Sequence, residues 1–213
     1  MTAPGTRVAV VDYGAGNLVS IEQALTVSGA VVHRAVTAGD IGPADLLVVP
    51  GVGAAAPAMD RLRLGGFVEP IREWLAADRP FLGICLGLQL LFEGSDEDEA
   101  ETLGILPGRT VRMVGAPTLP HIGWNQVDRL RDHPAFDGIA PGADFYFVHS
   151  YVGAPAGDEG QTAILAQTEH GPRFVSAVAR GRLLGVQFHP ERSGTNGLRL
   201  VANVVAWARA EAA

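Results

Sequence analysis

The chain has 213 residues and a formal net charge of −7, from 16 arginines, no lysine and 23 acidic side chains. With 47% hydrophobic residues, this length predicts a single domain over residues 1–213 that can bury a sizeable core. The acidic balance argues against nucleic-acid binding, which needs a basic surface to replace phosphate counterions. A single cysteine excludes an internal disulfide and a multi-cysteine zinc site, and the sequence indicates no metal or other cofactor.

No segment has the character of a membrane anchor. Residues Met1–Gly5 lack the basic start and the apolar stretch of a signal peptide. The longest apolar run, Pro80–Phe92, is too short to cross about 30 Å of hydrocarbon. We therefore expect a cytoplasmic protein that does not act at a membrane.

In the first 92 residues, short apolar runs alternate with segments of helical periodicity. The apolar runs predict buried strands at Arg7–Asp12, Val31–Ala35, Asp45–Val49 and Phe81–Ile84. The periodic segments predict helices at Leu18–Ser28, Ala54–Arg63 and Phe67–Ala77, and a further one beginning over Leu86–Phe92. This alternation favours an α/β fold whose mostly parallel central sheet is flanked by helices on both faces.

The second half of the chain has a different pattern. Gly94–Gly104 carries closely spaced acidic residues and is expected to be a solvated loop. The runs that then predict strands are Thr110–Val114, Phe145–Tyr151, Ala163–Gln167, Phe174–Ala179 and Leu183–Phe188. Gly and Pro between these runs indicate hairpins, hence an antiparallel β extension of the sheet. A final helix is predicted at Gly197–Arg209.

Cys85 lies between Gly83 and Gly87, where a predicted buried strand gives way to a helix. This is the pattern of a nucleophile elbow, in which larger side chains two residues away would collide with the sharp turn. The start of the following helix favours a thiolate, and the N–H of Leu86 would point to a developing oxyanion. We interpret Cys85 as a nucleophile rather than as a small core residue.

His189 is the best candidate for the base that such a nucleophile needs. It follows the predicted strand Leu183–Phe188 and opens the sequence His189-Pro190-Glu191. Residues i and i+2 of an extended chain face the same side, so Glu191 can reach the far ring nitrogen of His189. The chain therefore contains a candidate Cys-His-Glu triad.

A second oxyanion donor is expected from another loop at the same edge of the sheet. Residues 50–53, Pro-Gly-Val-Gly, leave the end of a predicted buried strand, and their glycines allow the peptide planes to turn. An ordinary strand-end turn is the alternative. The segment lacks the Gly-Lys-Ser/Thr sequence of a phosphate-binding loop.

Three segments together resemble the motifs of class I, triad-type glutamine amidotransferases. They are Pro50–Gly53, Gly83–Gln89 and Gln187–Glu191, and their order and spacing match over almost the whole chain. The resemblance implies a class I amidotransferase fold. It also implies a glutaminase that hydrolyses the side-chain amide of glutamine and passes ammonia to a synthase partner.

Further segments resemble one family within this class, the glutaminase subunits of imidazole glycerol phosphate synthase in histidine biosynthesis. They are Asp12–Asn17, the Pro-Gly-Val-Gly form of the 50–53 loop, Pro120–Asn125 and Tyr146–Tyr151. This resemblance implies a heterodimer with a (β/α)8-barrel cyclase subunit, on which glutaminase activity depends.

The resemblance also implies catalytic roles. Cys85 would attack the glutamine carbonyl, His189 would move the proton, and Glu191 would orient His189. The oxyanion donors would be the N–H of Leu86 and that of either Val52 or Gly53.

Substrate-binding roles follow in the same way. Gln89, one turn after the nucleophile, would hold the substrate, with a surface glutamine as the alternative. Gly51, Ser150 and Tyr151 would line the glutamine site.

An acidic residue of the Gly94–Gly104 loop would pair with the ammonium group of the substrate. The resemblance assigns this role to Glu97. Asp96 or Asp98 could take it after a small shift of the loop.

Partner contacts are implied for Asn17, His121, Trp124, Tyr146 and Arg192. Trp124 could equally be a core aromatic residue. Arg192 stands where many relatives carry lysine, so an interface ion pair would keep its charge with an altered geometry.

Two other readings are compatible with parts of the sequence. One is the glutaminase subunit of another synthase, for anthranilate or pyridoxal phosphate, which shares the triad. The other is a non-catalytic sensor module with an elbow cysteine. Residues 120–125 and 12–17 argue against the first, and His189-Pro190-Glu191 argues against the second.

Overall fold

The computed structural model describes residues 5–210. Residues 1–4 and 211–213 lie outside the described part. Two predictions therefore fall partly outside it: the ends of the expected 1–213 domain, and most of Met1–Gly5, which was expected not to be a signal peptide. No helix in the described part is long and apolar enough to cross a membrane.

Helices and strands alternate at first and are then replaced by mainly β structure. The helices are α1 (Leu18–Val27), α2 (Ala55–Leu64), α3 (Val68–Ala76), α4 (Leu86–Gln89), α5 (Gly157–Ala163) and α6 (Gly194–Trp207). Short 3-10 helices are Ala38–Asp40, Pro134–Phe136 and Pro190–Arg192.

The strands before the acidic segment are β1 (Thr6–Val11), β2 (Ala30–Ala35), β3 (Leu46–Gly51) and β4 (Phe81–Cys85). The strands within and after the acidic segment are β5 (Gly94–Ser95), β6 (Ala100–Glu101), β7 (Gly108–Arg112), β8 (His121–Arg129), β9 (Ala143–His149), β10 (Tyr151–Pro155), β11 (Ile164–Glu169), β12 (Arg173–Arg180) and β13 (Leu183–Val186).

The main sheet has nine strands in the order β2-β1-β3-β4-β13-β12-β11-β8-β9. In this order, the four pairs from β2 to β13 are parallel, and the four pairs from β13 to β9 are antiparallel. This confirms the α/β class, with a parallel sheet that continues into an antiparallel extension. Parallel neighbours end at the same edge, so β3, β4 and β13 bring their carboxyl ends together.

Side chains of the parallel strands alternate between two apolar layers. In β1, Val8 and Val10 pack in one layer with α1 and α6, whereas Ala9 and Val11 pack in the other with α2 and α3. Burial on both faces explains why these strands appear in the sequence as continuous apolar runs. The core therefore supports the sheet edge from both sides.

The structure corrects several element predictions. The run Phe145–Tyr151 is not one strand, because the chain leaves β9 after His149 and starts β10 at Tyr151. The strand predicted at Thr110–Val114 belongs instead to a second sheet, in the order β10-β7-β5-β6. The acidic segment contains the short antiparallel pair β5 and β6, so it is not wholly a loop. Strand β8 and helix α5 have no counterpart among the elements predicted from the sequence.

Candidate active site

Cys85 is the last residue of β4 and directly precedes α4. Its φ is +54° and its ψ is −107°, a backbone conformation that side-chain-bearing residues rarely adopt. A Cβ at Gly83 would lie 2.6 Å from the carbonyl oxygen of Gly87, and a Cβ at Gly87 would lie 1.9 Å from that of Val49. The two flanking glycines therefore permit a turn that packs backbone against backbone.

His189 reaches Cys85 because β13 lies beside β4, with Val186 opposite Ile84. The Nδ1 atom of His189 lies 2.8 Å from Oε1 of Glu191, in the 3-10 turn that Pro190 opens. Both side chains are almost fully buried, with exposures of 8% and 3%. The predicted nucleophile, base and acid therefore lie together at one edge of the sheet.

The charge state of His189 is set by opposing effects. Burial lowers its pKa, but hydrogen bonds to Cys85 and Glu191 and the charges of these groups raise the pKa to about 10. The imidazole therefore holds a proton at neutral pH. The carboxylate of Glu191 faces this ring through Oε1, and its Oε2 is buried with no hydrogen-bond partner among the described residues.

A cavity of about 340 Å³ has Cys85 in its lining. The predicted site residues that line it are Gly51, Val52, Gly53, Cys85, Gln89, Glu97, Ser150, Tyr151, His189 and Glu191. Leu86 follows Cys85 as the first residue of α4 and is buried. In the described part of the chain, no three His, Cys, Asp or Glu side chains are grouped to hold a metal ion.

The 50–53 loop forms one wall of the cavity. Gly51 ends β3 directly opposite Cys85, Val52 is half exposed and Gly53 has a φ of +92°. The Tyr13 hydroxyl donates a hydrogen bond to the carbonyl oxygen of Pro50 over 2.9 Å. One side of the loop is therefore anchored to the turn that follows β1.

The acidic segment places its three candidate carboxylates differently. Asp96 lies 2.6 Å from Nε of Arg109, and Asp98 accepts a hydrogen bond from the N–H of Ala56 over 2.6 Å. Of the three, Glu97 lines the cavity. Partial desolvation, followed by the charge of Asp98, raises the pKa of Glu97.

Gln89 is a buried residue rather than the surface glutamine of the alternative reading. Its Nε2 donates to the carbonyl oxygen of Tyr151 over 2.9 Å and to Oε1 of Gln187 over 3.1 Å. The Gln89 side chain is therefore fixed between two chain segments at the cavity wall.

An exposed aromatic cluster lies beside the cavity mouth. Trp124 is 57% exposed, which excludes the core position considered for it. Its ring meets that of Tyr146 edge to face, and the guanidinium of Arg192 lies 4.3 Å from the Tyr146 ring centre. Asn17, just before α1, and Arg192 also line the cavity.

His121 does not have the surface position expected of a partner contact. It is 4% exposed, and its Nδ1 lies 3.2 Å from Nε2 of His149. Side chains alternate along β8, so residues 121 and 124 face opposite sides of the strand. The prediction placed both residues in contact with a partner. In this structure, of the two, only Trp124 lies on an exposed face of β8.

Gln187 received no predicted role, although it begins one of the segments that resemble the amidotransferase motifs. Gln187 has no exposed surface, and its Nε2 lies 3.6 Å from Sγ of Cys85. A polar side chain inside the apolar run Leu183–Phe188 was the available signal, because a buried amide needs hydrogen-bond partners.

Comparison with known proteins identifies the family of the chain. The model of the family "Glutamine amidotransferase class-I" matches residues 9–206. The chain is 46% identical over 204 residues to "Imidazole glycerol phosphate synthase subunit HisH" of Microcystis aeruginosa, covering 94% of this chain and 95% of the relative. It is 43% identical over 212 residues to the HisH subunit of Aromatoleum aromaticum, covering 94% and 98%.

The chain thus belongs to the class I glutamine amidotransferases and, within them, to the family of HisH subunits of imidazole glycerol phosphate synthase. Solved structures show the same fold at low identity. "Structure of PurLQS from Thermotoga maritima" has a TM-score of 0.75 at 15% identity, covering 95% of this chain and 99% of that one. "Crystal structure of glutamine amidotransferase" has a TM-score of 0.73 at 19% identity, covering 95% and 98%.

Proposed function

We propose that this chain hydrolyses the side-chain amide of glutamine and supplies the ammonia for imidazole glycerol phosphate formation. The observation that carries the proposal is the arrangement of Cys85, His189 and Glu191 around one cavity, in a chain 46% identical to a HisH subunit. One glutaminase domain over residues 1–213 is part of the proposal, because both halves of the chain share one sheet.

In the first half-reaction, the Cys85 thiolate attacks the side-chain carbonyl of glutamine and forms a C–S bond. The proton on His189 then passes to the departing nitrogen as the C–N bond breaks, which releases ammonia and leaves a glutamyl thioester. The raised pKa of His189 supports this role, because the ring already holds the proton that the leaving group needs. Glu191 keeps the ring oriented.

In the second half-reaction, water attacks the thioester as neutral His189 takes its proton. The C–S bond breaks, glutamate leaves, and the thiolate faces protonated His189 again. Both tetrahedral intermediates carry an oxyanion. We assign its donors to the N–H of Leu86 and to that of either Val52 or Gly53.

Substrate would be held by the groups that line the rest of the cavity. Glu97 would pair with the ammonium group of glutamine, since Asp96 and Asp98 are engaged elsewhere. Gln89, Gly51, Ser150 and Tyr151 would position the rest of the molecule.

The proposed partner is a cyclase subunit with a (β/α)8 barrel, which would receive the ammonia. Trp124, Tyr146, Arg192 and Asn17 would contact it, since they lie at or near the cavity mouth. We place the reaction in the cytoplasm, because a chain with a single cysteine and no internal disulfide fits a reducing compartment.

The test is to mix the chain with a barrel cyclase subunit and its nucleotide substrate and to measure glutamate release. We expect release by the pair, little release by the isolated chain, and none with Cys85→Ala. No release, or release undiminished in Cys85→Ala, would refute the proposal. Fast turnover by the isolated chain would refute dependence on the partner.

A further inference from the structure

The sulfur of Cys85 has a neighbour that the mechanism above does not use. Gln187 lies between β13 and His189, has no exposed surface, and places Nε2 at 3.6 Å from Sγ. Its backbone is fixed as well, because its N–H donates to the carbonyl oxygen of Ser176 over 2.9 Å. A fully buried amide beside a nucleophile needs defined partners on both its oxygen and its nitrogen.

The orientation of this amide follows from the donors and acceptors around it. The carbonyl oxygen of Tyr151 can only accept, so the group of Gln89 at 2.9 Å from it must be the NH₂ group. That NH₂ group also lies 3.1 Å from the Gln187 side chain, which must present its oxygen to it. The remaining end of Gln187, its NH₂ group, therefore faces the sulfur.

The Tyr151 carbonyl, which fixes the orientation of both amides by accepting from Gln89, is itself held in place. Nδ1 of His149 lies 3.1 Å from the same oxygen, and it must carry a proton because the oxygen cannot donate. Burial lowers the pKa of His149 to about 3, so the ring is neutral and its Nε2 accepts from His121 at 3.2 Å. With donors from Gln89 and His149, both lone pairs of the carbonyl are used.

We propose that Gln187 donates a hydrogen bond from Nε2 to the Cys85 thiolate, and that Gln89 and the Tyr151 carbonyl hold its amide in that orientation. A thiolate accepts such a bond more strongly than a thiol does, so the donor favours the reactive form. The donor is neutral and keeps its protons throughout the cycle. It stabilises the leaving thiolate of the second half-reaction even while His189 gains the proton of water.

This proposal rests on the proposed role of Cys85 as nucleophile, but its test needs neither glutamine nor a partner. Cys85 is the one cysteine of the chain, so the rate of alkylation by iodoacetamide reports on this thiol alone. The rate is measured against pH for the wild type, for Gln187→Met, which removes the donor, and for Gln187→Glu, which keeps the shape. Ser176→Ala is the matched control, since Ser176 is equally buried beside Gln187 and its hydroxyl has no partner among the described residues.

We expect both Gln187 variants to move the midpoint of the alkylation pH profile upward by about one pH unit. At any pH below both midpoints, this shift means about tenfold less thiolate than in the wild type. Ser176→Ala should leave the midpoint unchanged. Gln89→Glu tests the orienting role, because a carboxylate there would attract the Gln187 NH₂ group away from the sulfur. We expect it to raise the midpoint too, although residue 89 does not touch the thiol.

Unchanged midpoints in folded Gln187 variants would overturn the donor role, and an unchanged midpoint in Gln89→Glu would overturn the orienting role. Folding of each variant is checked by its thermal unfolding curve. If the variants do not fold, a measurement on the wild type tests the proposal instead. The side-chain NH₂ resonances of Gln187 should shift as the thiol titrates, and a pH-independent signal would refute the proposal. Failure of glutamate release with a normal alkylation profile would instead concern the proposed function.

Discussion

Replacing Gly87 by alanine tests whether the elbow is held by direct backbone contact between α4 and β3. The added methyl carbon would lie 1.9 Å from the carbonyl oxygen of Val49, whereas real Cβ contacts essentially never fall below 3.0 Å. The obstacle is backbone in a buried strand, so no side chain can rotate away. The start of α4 and the end of β3 would have to separate by about 1 Å.

Two opposing effects determine how far Gly87→Ala changes the free energy of unfolding. Overpacking of this kind costs about 1–3 kcal/mol, and contact with backbone puts Gly87→Ala at the upper end. Alanine is favoured over glycine by about 1 kcal/mol in a helix interior, and at the second residue of the four-residue helix α4 this preference offsets at most that part of the cost. We therefore expect the free energy of unfolding to fall by about 2 kcal/mol, or roughly thirtyfold in the unfolding constant.

Urea unfolding followed by tryptophan fluorescence measures this change. Gly39→Ala is the control, because a methyl group at exposed Gly39 meets only the Thr37 hydroxyl oxygen, at 3.9 Å. The control should stay within about 0.5 kcal/mol of the wild type. A stability of Gly87→Ala equal to the wild type, with unchanged alkylation of Cys85, would refute the backbone-contact argument.

Three further changes have defined outcomes. Tyr13→Phe removes the donor to the Pro50 carbonyl and should lower the free energy of unfolding by about 1 kcal/mol, measured in urea. Glu191→Gln removes the charge that holds the proton of His189, so its pKa should fall by about one unit or more in an NMR titration. Burial, and then the charge of Arg131, lowers the pKa of His133 from 6.5 to about 4, so the unfolded chain binds more protons between these values. Stability should therefore fall as pH drops below 6.5, and His133→Gln should remove about 2 kcal/mol of the loss between pH 7 and pH 5.

Each of these has a result that contradicts it. A Tyr13→Phe chain as stable as the wild type would show that water replaces the lost hydroxyl. An unchanged titration of His189 in Glu191→Gln would mean that another group holds its proton. Equal acid sensitivity in His133→Gln and the wild type would place the responsible groups elsewhere, with carboxylates as the next candidates.

The elbow and the base were predictable because their signals are local. The strained turn is indicated within five positions by Gly83, Cys85 and Gly87. The contact between His189 and Glu191 follows from the rule that residues i and i+2 of an extended chain face the same side. Their meeting required one further assumption, that consecutive apolar runs form parallel neighbours. The pairing that brings them together is different, because β13 lies beside β4 although eight strands separate the two along the chain, and no local signal indicates this.

Features that depend on distant contacts were not predictable. Strand β8 alternates between buried and exposed residues, but Gly123 and the mixed polar side chains obscure that period. His121 was misplaced for the same reason, since its facing depends on an unrecognised strand. The role of Gln187 depends on Gln89, 98 positions away, and no sequence pattern encodes that pair.

The pairing of β4 with β13 also constrains when the thiol becomes reactive as the chain folds. Gln187 and Cys85 are 102 positions apart, and everything that forms the antiparallel extension lies between them. A nascent chain that has built β1 to β4 carries an ordinary thiol, because its histidine, carboxylate and amide neighbours are still to be synthesised. The nucleophile therefore gains its proposed base and hydrogen-bond donor only once β13 has been synthesised and has paired with β4.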